Sequence, residues 1–319
     1  MDEHAKEQGP TRTGAGTAGP TRRRVLKCMA LAGAGLAWTV SGGVPRQLGI
    51  GQAQAAAGEL VFVQISDSHI GFKNEPNPDP AATLRQALAE IGRLPAKPSF
   101  LLHTGDVSHL SKPEQFDLAH QTIKAAGYET HYVPGEHDVL DDDGKGFFER
   151  FGGGAGAASG GWYSFDQGGV HFVALINVLN LRAGGLGYLG PAQLEWLEDD
   201  LAARSASTPI VVFAHMPLWS LYPQWGWGTD DADKALSYLR RFGSVTVLNG
   251  HIHQVLQKVE GNVTLATARS TAYPQPAPGE GKGPGPLKVE AERLKATLGI
   301  RCVNVSVGAA PRLNDTTLA

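Results

Sequence analysis

The sequence predicts an α/β domain in which helices cover sheets, preceded by an export leader. Three observations predict it. Short apolar, β-branched runs alternate with capped, amphipathic segments along most of the chain. Among 319 residues there are 41 glycines and 20 prolines, which marks many turns and long loops and argues against a helical bundle. Apolar residues make up 42% and charged residues 18%, enough to build a core and too apolar for a disordered chain. The formal charge of −3 leaves no basic footprint, so no nucleic-acid polymer is expected as a partner. Two cysteines, Cys28 and Cys302, supply neither a disulfide framework nor a thiolate zinc site.

The leader comes first. Residues 12–27 are rich in arginine and free of acids, ending in Thr21-Arg22-Arg23-Arg24-Val25-Leu26-Lys27. The apolar stretch from Cys28 to Val40 is too short to span the ~30 Å hydrocarbon core of a bilayer comfortably. Ala53-Gln54-Ala55 and Ala55-Ala56-Ala57 then offer small-residue cleavage sites. Residues 1–57 thus read as a signal peptide and cleavage region, with an uncleaved anchor as the alternative. The paired Arg22-Arg23 resemble a twin-arginine leader, with Val25 where phenylalanine is more usual. That resemblance implies the twin-arginine translocation machinery as a partner, a periplasmic or secreted location, and no stable membrane span after processing. It also implies export of a folded protein, often one that has already acquired a cofactor.

Residues 58–319 make up the second predicted unit. Leu60–Ser66 (LVFVQIS) is a short buried strand. Asp79-Pro80 opens a helix to about Leu94, with an acid at the N-cap and proline at N1. Phe100–Thr104 is a second strand. Ser111 and Glu114 have capping-box spacing for a helix that ends before Gly127. Glu129–Val133 is a third strand, and Gly152–Gly161 is loop. Trp162–Asp166 and Val170–Asn177 flank Gln167-Gly168-Gly169 as a hairpin. Helix Pro191–Arg204, strand Ile210–Ala214, helix Asp231–Arg241 and strand Val245–Leu248 follow. A Pro/Gly linker at 274–286 then leads to a helix-like segment and a final strand around Ile300–Val307.

The chemistry-bearing residues fall just past strand ends, where sites form in α/β folds. The first strand ends in Asp67-Ser68-His69 and the second in Gly105-Asp106-Val107-Ser108-His109. The third leads to Gly135-Glu136-His137-Asp138. The Ile210 strand ends at His215, and the Val245 strand at Asn249-Gly250-His251-Ile252-His253. Carboxylates and imidazoles gathered at one sheet edge suit zinc, manganese or iron. One such histidine is ordinarily a satisfied core or loop residue; five motifs in register with five strands are not.

In this order the motifs D-x-H, G-D, G-x-H-D, a strand-terminal histidine and G-H-x-H resemble the calcineurin-like metallophosphoesterase signature, in particular its cyclic-nucleotide-phosphodiesterase-like branch. The resemblance covers about Leu60 to Ala268. It implies a β-sandwich with helices on both outer faces and two metal ions at the ends of the central strands. By that resemblance Asp67, His69 and His253 would hold the first metal, Asp106 would bridge, and His215 and His251 would hold the second. Paired metals acidify water and clamp a phosphoryl group for in-line attack by hydroxide. His137 would contact phosphate and assist the leaving oxygen, with Asp138 orienting its imidazole.

One position departs from the family pattern. Glu136 stands where the family carries a neutral asparagine as a second-metal ligand. As a ligand it adds a third carboxylate, which weakens attraction for an anion unless one ion is trivalent, and so admits iron. The alternative is that Glu136 turns away. His109 lies at the offset of a metal-binding tyrosine in the purple acid phosphatase branch; it is an added ligand, a group behind the ligands, or a substrate-facing or solvated loop residue. Trp219, Tyr222, Trp225 and Trp227 either stack on a substrate or pack their loop against the domain. His103 reads as a hydrogen-bonded core residue, and His120, His131 and His171 receive no role. No P-loop and no G-x-S-x-G is present in the sequence. The expectation is an exported dinuclear phosphoesterase acting on a small phosphate ester, with two ions of Fe, Mn or Zn per chain. The rival reading is a non-catalytic exported metal-binding protein on the same fold.

Overall fold

Strand β3 (Leu60–Ile65) sets the plan of the molecule, because its side chains alternate between two apolar cores. Leu60 and Phe62 point into one core, Val63 and Ile65 into another, and all four are buried. A strand apolar on both faces needs a covering layer on each side, and the chain supplies a second sheet and a set of helices. The computed structural model describes residues 36–41, 44–49, 59–152, 160–306 and 311–319. Within the expected leader, β1 (Leu36–Ser41) and β2 (Val44–Gly49) form an antiparallel ribbon in a unit of its own. Arg22, Arg23 and the expected cleavage sites lie outside the described residues, as does most of the expected Gly152–Gly161 loop. Among the described residues no helix is long and apolar enough to cross a membrane.

The first sheet has the order β13-β12-β3-β4-β5, with β4 at Leu101–His103, β5 at Thr130–Tyr132, β12 at Gly299–Val305 and β13 at Arg312–Thr317. Its β3, β4 and β5 run parallel. The second sheet has the order β10-β11-β9-β8-β7-β6, comprising β6 (Tyr163–Gln167), β7 (Val170–Ala174), β8 (Ile210–Phe213), β9 (Val245–Asn249), β10 (Gln257–Glu260) and β11 (Val263–Thr267). Here β7, β8, β9 and β11 are parallel. Between the sheets lies an aromatic core in which Phe62 stacks on Phe100 at 5.2 Å and meets Phe172 edge-on at 5.4 Å. Truncating a ring buried this completely costs about 3–5 kcal/mol.

Helices α1 (Pro80–Gly92), α2 (Pro113–Lys124), α3 (Lys145–Phe151) and α6 (Ala291–Thr297) cover the outer face of the first sheet through Leu84, Ile91, Phe116, Phe147 and Leu294. Helices α4 (Pro191–Ala202) and α5 (Ala232–Leu239) cover the second through Leu197, Leu201 and Leu236. The result is the expected β-sandwich with helices on both outer faces. Asp79 caps α1 as predicted, accepting from Ala82 N at 3.0 Å. The Ser111 capping box does not form. Lys112 sits at the N-cap of α2, and Ser111 instead donates its hydroxyl to the carbonyl of His137 at 2.8 Å. Loop tethering there takes the hydroxyl that the sequence spacing assigned to a helix end. Five strands, β1, β2, β10, β11 and β13, were not anticipated. Beneath the site Gln64 stitches the sheets together, donating to Thr104 Oγ1 at 3.0 Å in the first and to Asn249 O at 3.1 Å in the second.

Candidate metal centre

The C-terminal ends of β3, β4, β5, β8 and β9 meet at one edge of the sandwich, and each ends in a motif singled out above. The chain has to turn sharply to leave each strand while keeping its side chain aimed inward. Asp67, His69, Asp106, His251 and His253 all adopt positive φ, between 40° and 69°. Left-handed backbone at a non-glycine residue costs about 1–3 kcal/mol and persists where the surroundings impose it. Two glycines make room. A Cβ at Gly135 would lie 2.0 Å from Asp106 Oδ1, and one at Gly105 would lie 2.4 Å from His215 Nδ1.

Asp106 stands at the middle. Its Oδ2 lies 3.4 Å from His69 Nε2 on one side and 3.5 Å from His215 Nε2 on the other. Its Oδ1 accepts from the backbone N–H of His137 at 3.0 Å. On the first side Asp67, His69, Asp106 and His253 bring donor atoms within 4.8 Å of one another. His69 Nε2 and His253 Nε2 are 3.2 Å apart. On the second side Glu136, His215 and His251 form the matching group. Glu136 turns inward, its Oε2 2.8 Å from His215 Nε2 and its Oε1 3.0 Å from His251 Nδ1. The outward-facing alternative is thereby ruled out.

The donor set fits metal ions. Asp67 Oδ2, Glu136 Oε2, His215 Nε2 and both ring nitrogens of His251 are buried without hydrogen-bond partners. Orphaned lone pairs converging on common points are costly in a dry interior unless a cation binds there. Outer ring nitrogens are fixed by backbone carbonyls, as ligand histidines require. His215 Nδ1 pairs with Thr104 O at 2.7 Å and His253 Nδ1 with Tyr273 O at 2.6 Å.

The electrostatics follow from packing. Burial, reinforced by His137, His253 and His109, drives His69 well below the usual histidine range, which leaves a neutral imidazole. Burial also disfavours charge on His215 and Glu136. The Asp106 and Glu136 carboxylates nonetheless hold His215 well above its usual value, and His251 and His215 hold Glu136 well below. His137 is raised because Asp106, Glu136 and the His109 carbonyl outweigh its burial.

One expectation is corrected and one open alternative is decided. Asp138 does not orient His137. It is fully buried, and its carboxylate accepts from the backbone N–H groups of Val107 (3.0 Å), Ser108 (2.7 Å) and Gly135 (3.0 Å) and from Ser108 Oγ at 2.9 Å. Burial and the Asp106 carboxylate push it up to about 7, against the pull of those donors. Asp138 therefore clamps the two loops that carry Asp106 and Glu136. His137 is oriented instead by His109, whose carbonyl accepts from its Nδ1 at 2.8 Å and whose ring stacks on it at 4.9 Å. The His109 ring nitrogen Nδ1 also lies 3.4 Å from His69 Nδ1, behind the metal-facing nitrogen.

For the aromatic loop, where two readings stood open, the structure favours packing against the domain. A cavity of about 410 Å³ opens over the donor groups and is lined by His69, Asp106, His109, Glu136, His137 and His251, but by none of Trp219, Tyr222, Trp225 or Trp227. Trp227 is fully buried and Trp219 nearly so, packed among the domain's own side chains. The cavity wall comes from Phe72 and Tyr273, which carried no signal in the sequence, and from Pro284-Gly285-Pro286, which read only as the end of a linker. Gln275 ties this strap down, donating to His251 O at 2.9 Å. His103 is a core residue as expected, bonded to Ser68 Oγ at 2.8 Å and lowered to about 3 by burial. His171 is held between Asp166 and Asp200 at 2.9 and 2.7 Å and takes no part in the centre.

Comparison with known proteins places this geometry. Against a 3′,5′-cyclic-nucleotide phosphodiesterase of Nostoc sp. the chain is 26% identical over 224 residues, covering 67% of this chain and 79% of that protein. Against a glycerophosphodiester phosphodiesterase of Enterobacter lignolyticus it is 23% identical over 228 residues, covering 67% and 78%. A dimetal phosphatase from Danio rerio shares the fold with a TM-score of 0.58 at 14% identity, over 82% of this chain and 96% of that one. Residues 60–255, more than half of the chain and all five strand-terminal motifs, match the calcineurin-like phosphoesterase family, to which this protein belongs.

Proposed function

We propose that the chain is an exported, dinuclear, metal-dependent phosphoesterase that hydrolyses a small phosphate ester. The observation that carries the reading is the position of Asp106 Oδ2 between two groups of buried donors whose lone pairs lack partners. Asp67, His69, Asp106 and His253 would hold one ion, and Asp106, Glu136, His215 and His251 the other. The ions, of iron, manganese or zinc, supply Lewis acidity to the phosphoryl group and acidify water when bound. His137 faces the cavity with Nδ1 committed to the His109 carbonyl, so Nε2 is the nitrogen that holds a proton toward the ester. A proton delivered from there would neutralise the departing oxygen. This placement of His137 supports turnover over metal capture, which needs no such ring. Metal content of protein purified from its native compartment, followed by a panel of phosphate mono- and diesters, tests the proposal. Fewer than two ions per chain, or no hydrolysis at full occupancy, would overturn it.

Three further outcomes are expected. His137→Ala keeps both ions and lowers turnover by roughly a hundredfold or more, with a smaller loss on nitrophenyl esters, whose leaving groups need little protonation. Equal loss on good and poor leaving groups would make His137 a phosphate-positioning residue. Glu136→Asn removes one of three carboxylates, so metal analysis of cells grown on matched iron and manganese should show preference moving toward divalent ions. Identical metal content and kinetics in the two proteins would remove Glu136 from the ligand set. Replacing Arg22 and Arg23 with lysine traps precursor in the cytoplasm, and processed protein appearing outside the membrane at the normal level would end the twin-arginine assignment.

A further inference from the structure

We infer that the centre is built for a phosphodiester monoanion carrying one uncharged, planar ester arm, rather than for a phosphomonoester dianion. The inference rests on the phosphoesterase reading above and narrows its substrate class.

The first ground is charge. Asp67, Asp106 and Glu136 bring three carboxylates to the donor groups, with Glu136 turned inward. Among the described residues no lysine or arginine lines the cavity. Lys73 and Lys282 adjoin it in the chain, but both are exposed and neither reaches its wall. With two divalent ions, as in manganese-loaded protein, the carboxylates and ions sum to a single positive charge before any bound water is ionised. One diester anion neutralises it. A monoester dianion would leave an uncompensated negative charge in a partly desolvated site, where charge imbalance is expensive.

The second ground is shape. Phe72 and Tyr273 lie 4.5 Å apart at a tilt of 39°, and Tyr273 stacks on His69 at 4.7 Å, so an aromatic wall begins at the edge of the donor groups. Pro284 and Pro286 face this wall from the strap, with Asn74 and Gln275 as polar groups that carry no charge. A flat apolar arm gains contact there, and a charged arm finds no counter-ion. In hydrolysis the water oxygen bonds to phosphorus, the P–O bond to the arm breaks, and the departing oxygen takes a proton. The second proton of the water passes to solvent, and the products are an alcohol and a phosphomonoester dianion. That dianion carries one negative charge more than the substrate and is the poorer ligand, so the charge that selects the diester also promotes release of the product.

Equilibrium binding to manganese-loaded protein tests this without turnover. Calorimetry would compare three probes: phenylphosphonate fully ionised as the dianion, monoethyl phenylphosphonate as the monoanion, and monoethyl methylphosphonate as the monoanion without a ring. The phenyl monoanion is expected to bind at least about tenfold more tightly than the dianion. Phe72→Leu, a substitution that keeps the wall apolar, should weaken the phenyl monoanion by about tenfold and leave the methyl compound unchanged, the size expected for an aromatic contact. Glu136→Asn should narrow the preference for the monoanion over the dianion at equal metal content. Equal or tighter binding of the dianion, equal loss of both monoanions in Phe72→Leu, or a preference unmoved by Glu136→Asn would overturn the inference. Preferred hydrolysis of monoesters would overturn it while sparing the phosphoesterase reading. Two bound ions with no binding and no hydrolysis of any probe would overturn both.

Discussion

Asp106→Asn should strip the protein of most of its metal and most of its hydrolysis in one step. The substitution is nearly isosteric, and the amide oxygen can still accept the His137 N–H that Asp106 Oδ1 accepts now at 3.0 Å. What it removes is the charge on Oδ2, the atom set between His69 and His215. Both donor groups lose their shared anion together. Metal affinity should therefore fall by more than the ~10–100-fold that follows loss of a residue behind the ligands. Metal analysis after dialysis and phosphate-ester turnover should decline in parallel, while the unfolding midpoint of metal-free protein changes little. Two tightly held ions per chain in Asp106→Asn would show that the bridging position belongs to another residue.

The second large effect is on the fold. Asp138→Ala leaves three backbone N–H groups and the Ser108 hydroxyl without their shared acceptor in a fully buried pocket. Each stranded donor costs about 1–3 kcal/mol, so the sum reaches on the order of 4 kcal/mol or more. For a domain of this size that lowers the melting temperature by roughly 10 °C. Asp138→Asn should lose about half as much, because one of two equally used oxygens becomes an amide that cannot accept. The loops it releases carry Asp106 and Glu136, so metal binding should weaken alongside stability. Were Asp138→Ala to melt normally and lose activity only on poor leaving groups, Asp138 would be a partner of His137 after all.

The sandwich was legible because β3, β4, β8 and β9 are short apolar runs punctuated by a polar motif at the carboxyl end, whereas the equally buried β11 has no such motif and was missed. LVFVQIS before Asp67 and VTVL before His251 read as strands without any knowledge of their neighbours. The edge strands carry no such signal. Gln257–Glu260 is exposed throughout, and Arg312–Thr317 is largely polar. Both are strands only because a paired neighbour offers them hydrogen bonds, an interaction that leaves no mark on hydropathy.

The identity of the donor residues, from Asp67 to His253, was likewise set by local sequence. Motifs at the carboxyl ends of parallel strands line up along one edge of their own sheet. That the three of the first sheet meet the two of the second was decided by how the sheets pack. Which way each side chain faces was decided by packing between distant segments. Glu136 points inward because His215 and His251, from the other sheet, await it there. Asp138 is a clamp because the turn after Asp106, about 30 residues earlier, presents bare N–H groups that only a buried acceptor satisfies. The substrate wall is the most distant case. Tyr273 and Pro284–Pro286 enter the cavity through the chain's route after β11, where Gln275 holds the strap to the backbone of His251. Residue type and strand register settle what chemistry reaches the site. Orientation and the shape of the space above it come from contacts between residues far apart in sequence, and those exist only once both sheets have packed.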